Sequence, residues 1–257
     1  MFIRTDQSSL RILVIFAASL LGAAVLCIGL TIWWLRVDAI SDASNNTANL
    51  ATVLAEQTNR SVQSIDLMFD EIKDSVWSLH ATTPDAFRQL MQHEDTHAIL
   101  LERMSRLSHV RLIALVDNNG WLVNTTNQWP FPPTNLSDRD YFQHFNSYDD
   151  QSIHVSNPIA DRLKGIPTVM FSKRINGPNH EFLGAIVIGI SLSYFEQVYN
   201  SIISLDNLSV LFLRNDGTVI MRFPDPNNYR VGAHMPPQSP WFNVVSQGGQ
   251  LSVAGLF

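Results

Sequence analysis

The segment VRLIALVDNNGWLVNTT, residues 110–126, marks the point where the chain stops reading as helix. Val110–Val116 is apolar and partly β-branched, Asp117-Asn118-Asn119-Gly120 is a turn, and Trp121–Thr126 returns as a second strand. Alternation around a glycine-ended turn predicts a β-hairpin. Everything before it carries a different period. From Val37 to Leu79 there is no proline or glycine. Leu50 and Leu54, then Ile65, Met68, Phe69, Ile72, Val76 and Leu79, recur at helical spacing, which predicts a long helix. The polar, Asn-rich Ser41–Asn49 is the part of it least marked by that pattern. Thr83-Pro84-Asp85 reads as N-cap, N1 proline and first-turn acid. The helix that they open is expected over about 84–108, with Phe87, Leu90, Met91, Leu101 and Met104 as its apolar members.

Beyond the hairpin, Trp129–Pro133 holds three prolines and is no central strand. Asp138–Asn146 is expected to be a short helix capped by Ser137 or Asp138. Three strands follow at Ser152–Val155, Thr168–Ile175 and Phe182–Ser191, then a helix at Leu192–Ile203. Helices followed by an antiparallel meander of five strands indicate an α+β domain. After Asp206 the pattern restarts: Ser209–Arg214, the turn 215–217 and Thr218–Arg222 repeat the first hairpin. About 35 residues remain after it, too few for a core of their own. The expected layout is a tail at 1–11, a transmembrane helix at 12–35, a stalk or docking helix at 36–80, a complete domain at 81–205 and an interrupted second unit at 206–257.

The membrane assignment rests on Ile12–Leu35, 24 residues without a charge. As a helix it is about 36 Å long, enough to cross a hydrocarbon core of about 30 Å, and it exceeds a signal-peptide core of about 7–15 residues. The chain's net charge of −6 divides unevenly around it. Residues 1–11 are net +1, whereas 37–257 carry 14 basic and 22 acidic side chains. A positive flank stays inside, so the N-terminus is expected in the cytoplasm and the acidic portion outside. That portion has no basic face for nucleic acid, and this partner class is excluded. The one cysteine, Cys27, lies within the apolar run. The exported part therefore forms no disulfide, which fits a bacterial periplasmic domain better than a secreted eukaryotic one.

Two constellations carry chemistry. His93-Glu94-Asp95-Thr96-His97 satisfies H-E-x-x-H, which on a helix can place two histidines on zinc with Glu94 as base. Asp117 or Glu102 would be the third ligand; the alternative is a solvated helix face. The second is Leu136-Ser137-Asp138-Arg139-Asp140-Tyr141-Phe142, where a guanidinium beside paired aromatics at a loop-to-helix junction can fork a small anion. Its alternative has Tyr141 and Phe142 in the core and Arg139 paired to a nearby aspartate. No G-x-S-x-G, Walker-type loop or G-x-G-x-x-G is present, so nucleophilic catalysis and nucleotide binding have no support.

The order of elements, with Asp138-Arg139-Asp140-Tyr141-Phe142 and then Pro158-Ile159-Ala160-Asp161-Arg162-Leu163-Lys164-Gly165-Ile166-Pro167, resembles the double Cache (PAS-like) sensor family. Phe171–Ile175, Phe182–Val187 and Leu213–Pro224 continue the resemblance, which spans about residues 37–235. The variant most resembled precedes diguanylate cyclase (GGDEF) domains in bacterial inner-membrane receptors. The resemblance implies a periplasmic, non-catalytic ligand sensor, with a homodimer as its working form and no cofactor or metal. It places a ligand between the sheet and the Arg-aromatic helix. The matching residues are Arg139, Tyr141 and Phe142, with Lys173 or Arg174 available from the next strand. The amino-acid-binding variant has Arg-x-Trp-Tyr and a later aspartate for the ligand's amine. Here the aromatic places hold Tyr141 and Phe142, and Gly189 stands where the aspartate would be. These departures argue against an amino acid or another amine and leave a carboxylate or another small anion as the expected ligand.

The resulting expectation is an extracytoplasmic small-ligand sensor controlling a diguanylate cyclase outside this chain. A histidine kinase or chemoreceptor ectodomain would carry the same features, a membrane-anchored zinc hydrolase would use His93, Glu94 and His97, and a purely structural anchor would have a sheet with no pocket. Whether the long helix transmits force or is a plain stalk is open at this level.

Overall fold

The computed structural model describes residues 7–160, 167–202, 210–214, 216–223, 232–236 and 238–239. The Asp161–Ile166 part of the family motif, and most of the tail after Phe223, lie outside them. The chain divides into two compact units at Ala55/Glu56. Helix α1 runs Gln7–Ser78 and contributes to both. In the first unit its apolar side chains, Leu13, Phe16, Leu20 and Trp33 among them, are exposed, and the helix is long and apolar enough to cross a bilayer. The polar stretch near Thr47 stays helical, with Thr47 Oγ1 donating to Ala43 O at 2.8 Å.

In the second unit α1 buries Ile65, Met68, Phe69, Ile72 and Val76, the expected stripe. Leu79 departs from it: the helix ends at Ser78 and Leu79 is exposed. Thr83 caps the next helix as expected, its hydroxyl accepting from Ala86 N at 3.2 Å. The single helix expected over 84–108 is two: α2 (Pro84–Met91) and α3 (Glu94–Ser105). The break has a distant cause. Asn124 Nδ2 donates to Met91 O at 2.7 Å, at the end of α2, and shares His93 O at 3.1 Å with His97 N, so its amide clasps the two helices at their junction.

The sheet comprises β1 (Val110–Asp117), β2 (Leu122–Thr125), β3 (His154–Val155), β4 (Ile159–Ala160), β5 (Pro167–Asn176) and β6 (Phe182–Ser191). Helices α4 (Asp140–Ser147) and α5 (Leu192–Ile202) lie between β2 and β3 and after β6. All pairings are antiparallel. The order is β2-β1-β6-β5-β3, with β4 also on β5. A simple meander was expected; instead β1 lies inside the sheet, between its hairpin partner β2 and β6, which returns to it. Strand β4, which the sequence did not mark, pairs Ile159 with Thr168.

Register sorts the side chains into two layers. Ala114, Val187 and Ser172 are cross-strand neighbours and share one face; Leu115, Ile186 and Lys173 share the other. The second face packs on α1, α2 and α3: Ile72, Val76, Met91, Leu100 and Leu115 line one small space there. The first face carries Leu112, Ala114, Val116, Leu122, Met170 and Val187 in one apolar cluster with Tyr141 and Phe142.

The second hairpin is present as β7 (Val210–Leu213) and β8 (Val219–Phe223). Its turn reproduces the first in detail. Gly120 N donates to Asp117 O and Gly217 N to Arg214 O, both glycines at φ near +80°. Leu122 and Leu136 bond to Thr134 and Gly120 through backbone groups, and Val219 and Met235 bond to Ala233 and Gly217 in the same way.

Candidate functional site

The first face of the sheet is covered by α4, whose Tyr141 and Phe142 pack into its apolar cluster. The helix starts two residues later than expected. Its N-cap is Arg139, with no side-chain cap bond, while Asp140 occupies the first turn. Asp140 Oδ1 accepts from Tyr141 N at 2.8 Å and its Oδ2 accepts from Asn157 N at 2.9 Å. The helix start is thereby tied to the segment between β3 and β4.

The five expected binding residues are distributed as follows. Tyr141 and Phe142 are buried in the apolar cluster, and the Phe142 ring lies 5.9 Å from that of Phe182. Arg139 is partly exposed beside them and forms no ion pair with a described residue. Its guanidinium is the cation at a helix start whose own Asp140 carboxylate already takes the Tyr141 N–H. Arg174 lies on the same face but its guanidinium is committed. Nη1 donates to Phe145 O and, at 3.4 Å, to Tyr148 O; Nε donates to Asn176 Oδ1 at 2.6 Å. The guanidinium carbon also sits 4.4 Å from the Phe182 ring centroid. It caps the C-terminal end of α4, and burial lowers its affinity for a proton while Asp149 acts in the opposite sense. Lys173 is on the other face altogether. Its Nζ donates to Asp66 Oδ1 at 2.8 Å and Asp70 Oδ1 at 3.0 Å, both on α1. Desolvation, its largest influence, opposes the charge, but the two aspartates together raise its pKa. Neighbours in one strand project to opposite sides, so the pair cannot serve one pocket.

Gly189 lies on the face covered by α4, level with Leu112 and Met170. A Cβ there would stand 3.0 Å from Thr168 Cγ2 and 3.1 Å from both Leu112 Cβ and Met170 Sδ. The place is filled by its neighbours.

Three residues of this layer carried no signal in the sequence. His154 of β3 is register partner to Ser172 and shares its face. Its ring stacks on His144 of α4, whose Nε2 lies 3.0 Å from Asp150 Oδ2. His154 Nε2 and Asn157 Oδ1 are buried without hydrogen-bond partners among the described residues. Single polar residues in a two-residue strand, on a short helix and in a loop have no periodicity to betray them.

The zinc alternative does not assemble. His93 is the N-cap of α3, exposed and outside the helix, as Glu94 is exposed within it. His97 departs from the solvated face expected for it: it is buried, Nδ1 2.9 Å from Thr125 O, its ring against Trp129. Asp117 is bound to Arg88 at 2.6 Å and Glu102 to Arg106 at 2.8 Å. No group of three metal-ligating side chains occurs among the described residues.

The structure is an antiparallel sheet with α4 over one face and the long helix α1, with α2 and α3, over the other. The Cache domain profile matches residues 35–253, and the chain belongs to that family, a ligand-binding rather than a catalytic module. Solved structures agree at the level of the fold. The extracellular domain of rpHK1S-Z16, assigned as a histidine kinase, is 24% identical at a TM-score of 0.61, covering 77% of this chain and 75% of that one. The ligand-binding domain of the Campylobacter jejuni chemoreceptor Tlp3 with 4-methylisoleucine is 14% identical, TM-score 0.55, over 80% and 77%. That of the Pseudomonas fluorescens chemoreceptor CtaA with L-serine is 14% identical, TM-score 0.53, over 76% and 77%. No curated protein matches the sequence.

Proposed function

We propose that this chain is the extracytoplasmic sensor region of a bacterial membrane receptor, anchored by residues 12–35 with its N-terminus inside, and that it binds a small carboxylate at the start of α4. The observation carrying the ligand class is Arg139, a guanidinium with no ion-pair partner among the described residues, at the N-cap of the helix that carries Tyr141 and Phe142. The amino acids named with Tlp3 and CtaA share a carboxylate with that class. The filled position at Gly189 argues against a separate amine subsite there.

The signalling route follows from the layers. A ligand at α4 acts on β5, which holds α4 through Arg174 and α1 through Lys173. A shift of that strand is felt by the long helix, and a homodimer would carry it across the membrane. The ligand moves the equilibrium only by its differential affinity for the two arrangements. The neighbours named above favour a histidine kinase or chemoreceptor output; none supports the diguanylate cyclase expected from the sequence.

Isothermal titration of the full chain in detergent with lactate, malate, serine and isoleucine tests this reading. Carboxylate binding that weakens at least tenfold in Arg139→Ala supports it, tenfold being about 1.4 kcal/mol. No binding to any of the four, or binding indifferent to Arg139→Ala, sinks it.

A further inference from the structure

His144 and His154 come from different layers, α4 and the sheet, and meet ring to ring. Their centroids are 4.6 Å apart and the planes 24° from parallel. Phe145 closes one side edge-on to His154, 6.1 Å between centroids. We propose that this stacked pair is an acid-sensitive clasp, which holds α4 on the sheet while His154 is neutral and releases it when that buried ring takes up a proton.

A neutral ring at His154 packs on its neighbour as aromatic rings do, whereas a charge placed on that buried ring loses its water and gains no acceptor in return. The two rings are unequally provided for. His144 Nε2 faces the Asp150 carboxylate. That acid is kept at about 2 by the Ser152 backbone N–H, by His144 and by the Ser152 hydroxyl, so it stays charged throughout the range of interest. His154 Nε2 is buried with no acceptor among the described residues, and a proton there would lack a partner.

The charged groups around His154 come from every neighbouring element. Asp140 at the head of α4 and Asp150 in the following loop favour its charged form. His144, and Arg214 reaching from the second hairpin to Val155 O at 2.7 Å, oppose it. Burial is the largest influence and holds the ring below its ordinary 6.5. Its contribution to the closed arrangement is complete above that value and is lost as pH falls through the lowered one. Since α4 carries Arg139, Tyr141 and Phe142, release of the clasp disturbs the ligand layer; the clasp itself needs no ligand, so it stands or falls separately from the carboxylate reading.

The test is hydrogen exchange by mass spectrometry on the full chain in detergent at pH 7.5 and 5.0, each corrected for intrinsic exchange. Residues 140–150 are expected to open about tenfold more often at pH 5.0, a change of up to tenfold being available per pH unit titrated. Protection of β1 and β6 stays unchanged. His109, also lowered by burial, contacts Ser64 and Tyr194 rather than α4, so its titration appears in other peptides. His154→Phe keeps a ring on His144 but takes no proton, and is expected to abolish the pH effect at 140–150. Unchanged α4 protection between the two pH values, or the same loss in His154→Phe, overturns the proposal. If that variant does not fold, an ordinary midpoint for His154 in a proton NMR titration of the unaltered chain overturns it equally.

Discussion

Replacing Arg174 with methionine separates two roles that a buried arginine on a ligand face can have. As a ligand contact, it would be dispensable for folding and its loss would fall on affinity. As the anchor of α4, its loss falls on stability. The structure permits a magnitude for the second. The substitution preserves most of the apolar stem but leaves Phe145 O, inside the protein, without its donor; an orphaned buried carbonyl costs about 1–3 kcal/mol. The stacking over Phe182 adds about 0.5–1 kcal/mol. The contacts to Asn176 and the half-exposed Asp149 add about 0.5 kcal/mol. The expected total is about 3 kcal/mol, or a fall in melting temperature of roughly 6–12 °C for a domain of this size. Urea unfolding of the chain in detergent, followed by tryptophan fluorescence, measures it. A loss below about 1 kcal/mol, the scale of a surface contact, together with abolished carboxylate binding, would refute the anchor and restore Arg174 to the ligand.

Lys173→Met should cost about 1–2 kcal/mol, since two half-exposed partners are each worth under about 1 kcal/mol and Asp66 and Asp70, four residues apart on one helix, are left to repel. A cycle with the Asp66→Asn, Asp70→Asn double variant should show coupling near 1 kcal/mol; strict additivity would mean that the contact does not hold strand and helix together. Gly184→Ala is expected to destabilise by about 1–3 kcal/mol, because its Cβ would lie 2.2 Å from Val116 O and 2.9 Å from Phe87 Cε1. A melting temperature equal to that of the unaltered chain would show that β1 and β6 yield more easily than their register implies.

The first hairpin, the Thr83-Pro84 helix start and the repeated hairpin near Gly217 were legible because their signals are local. A capping hydroxyl or a glycine at positive φ does its work within a few residues. The break between α2 and α3 was not legible, since Asn124 makes it from a strand some thirty residues away. Strand order was equally hidden: burial of β1 on both faces calls for a layer above and below it but does not say which strand lies along its second edge. Around the candidate site, Arg139, Tyr141 and Phe142 were found together because they are adjacent in sequence. Alternation separates Lys173 from Arg174, but with Val169, Met170 and Phe171 all buried nothing local tells which side each one takes. His154 and Asn157 gain their importance only from what packs around them.

That one strand places Lys173 and Arg174 in different layers also bears on how this chain can change over time. Inserting or deleting a single residue between Pro167 and Lys173 would turn the strand over. The lysine would then lie beneath the carbonyls of α4, and the arginine would meet Asp66 and Asp70. Substitutions in β5 are graded in their cost, whereas a change of length exchanges both attachments at once. Among relatives that keep this arrangement, β5 should therefore vary in composition far more readily than in the number of its residues.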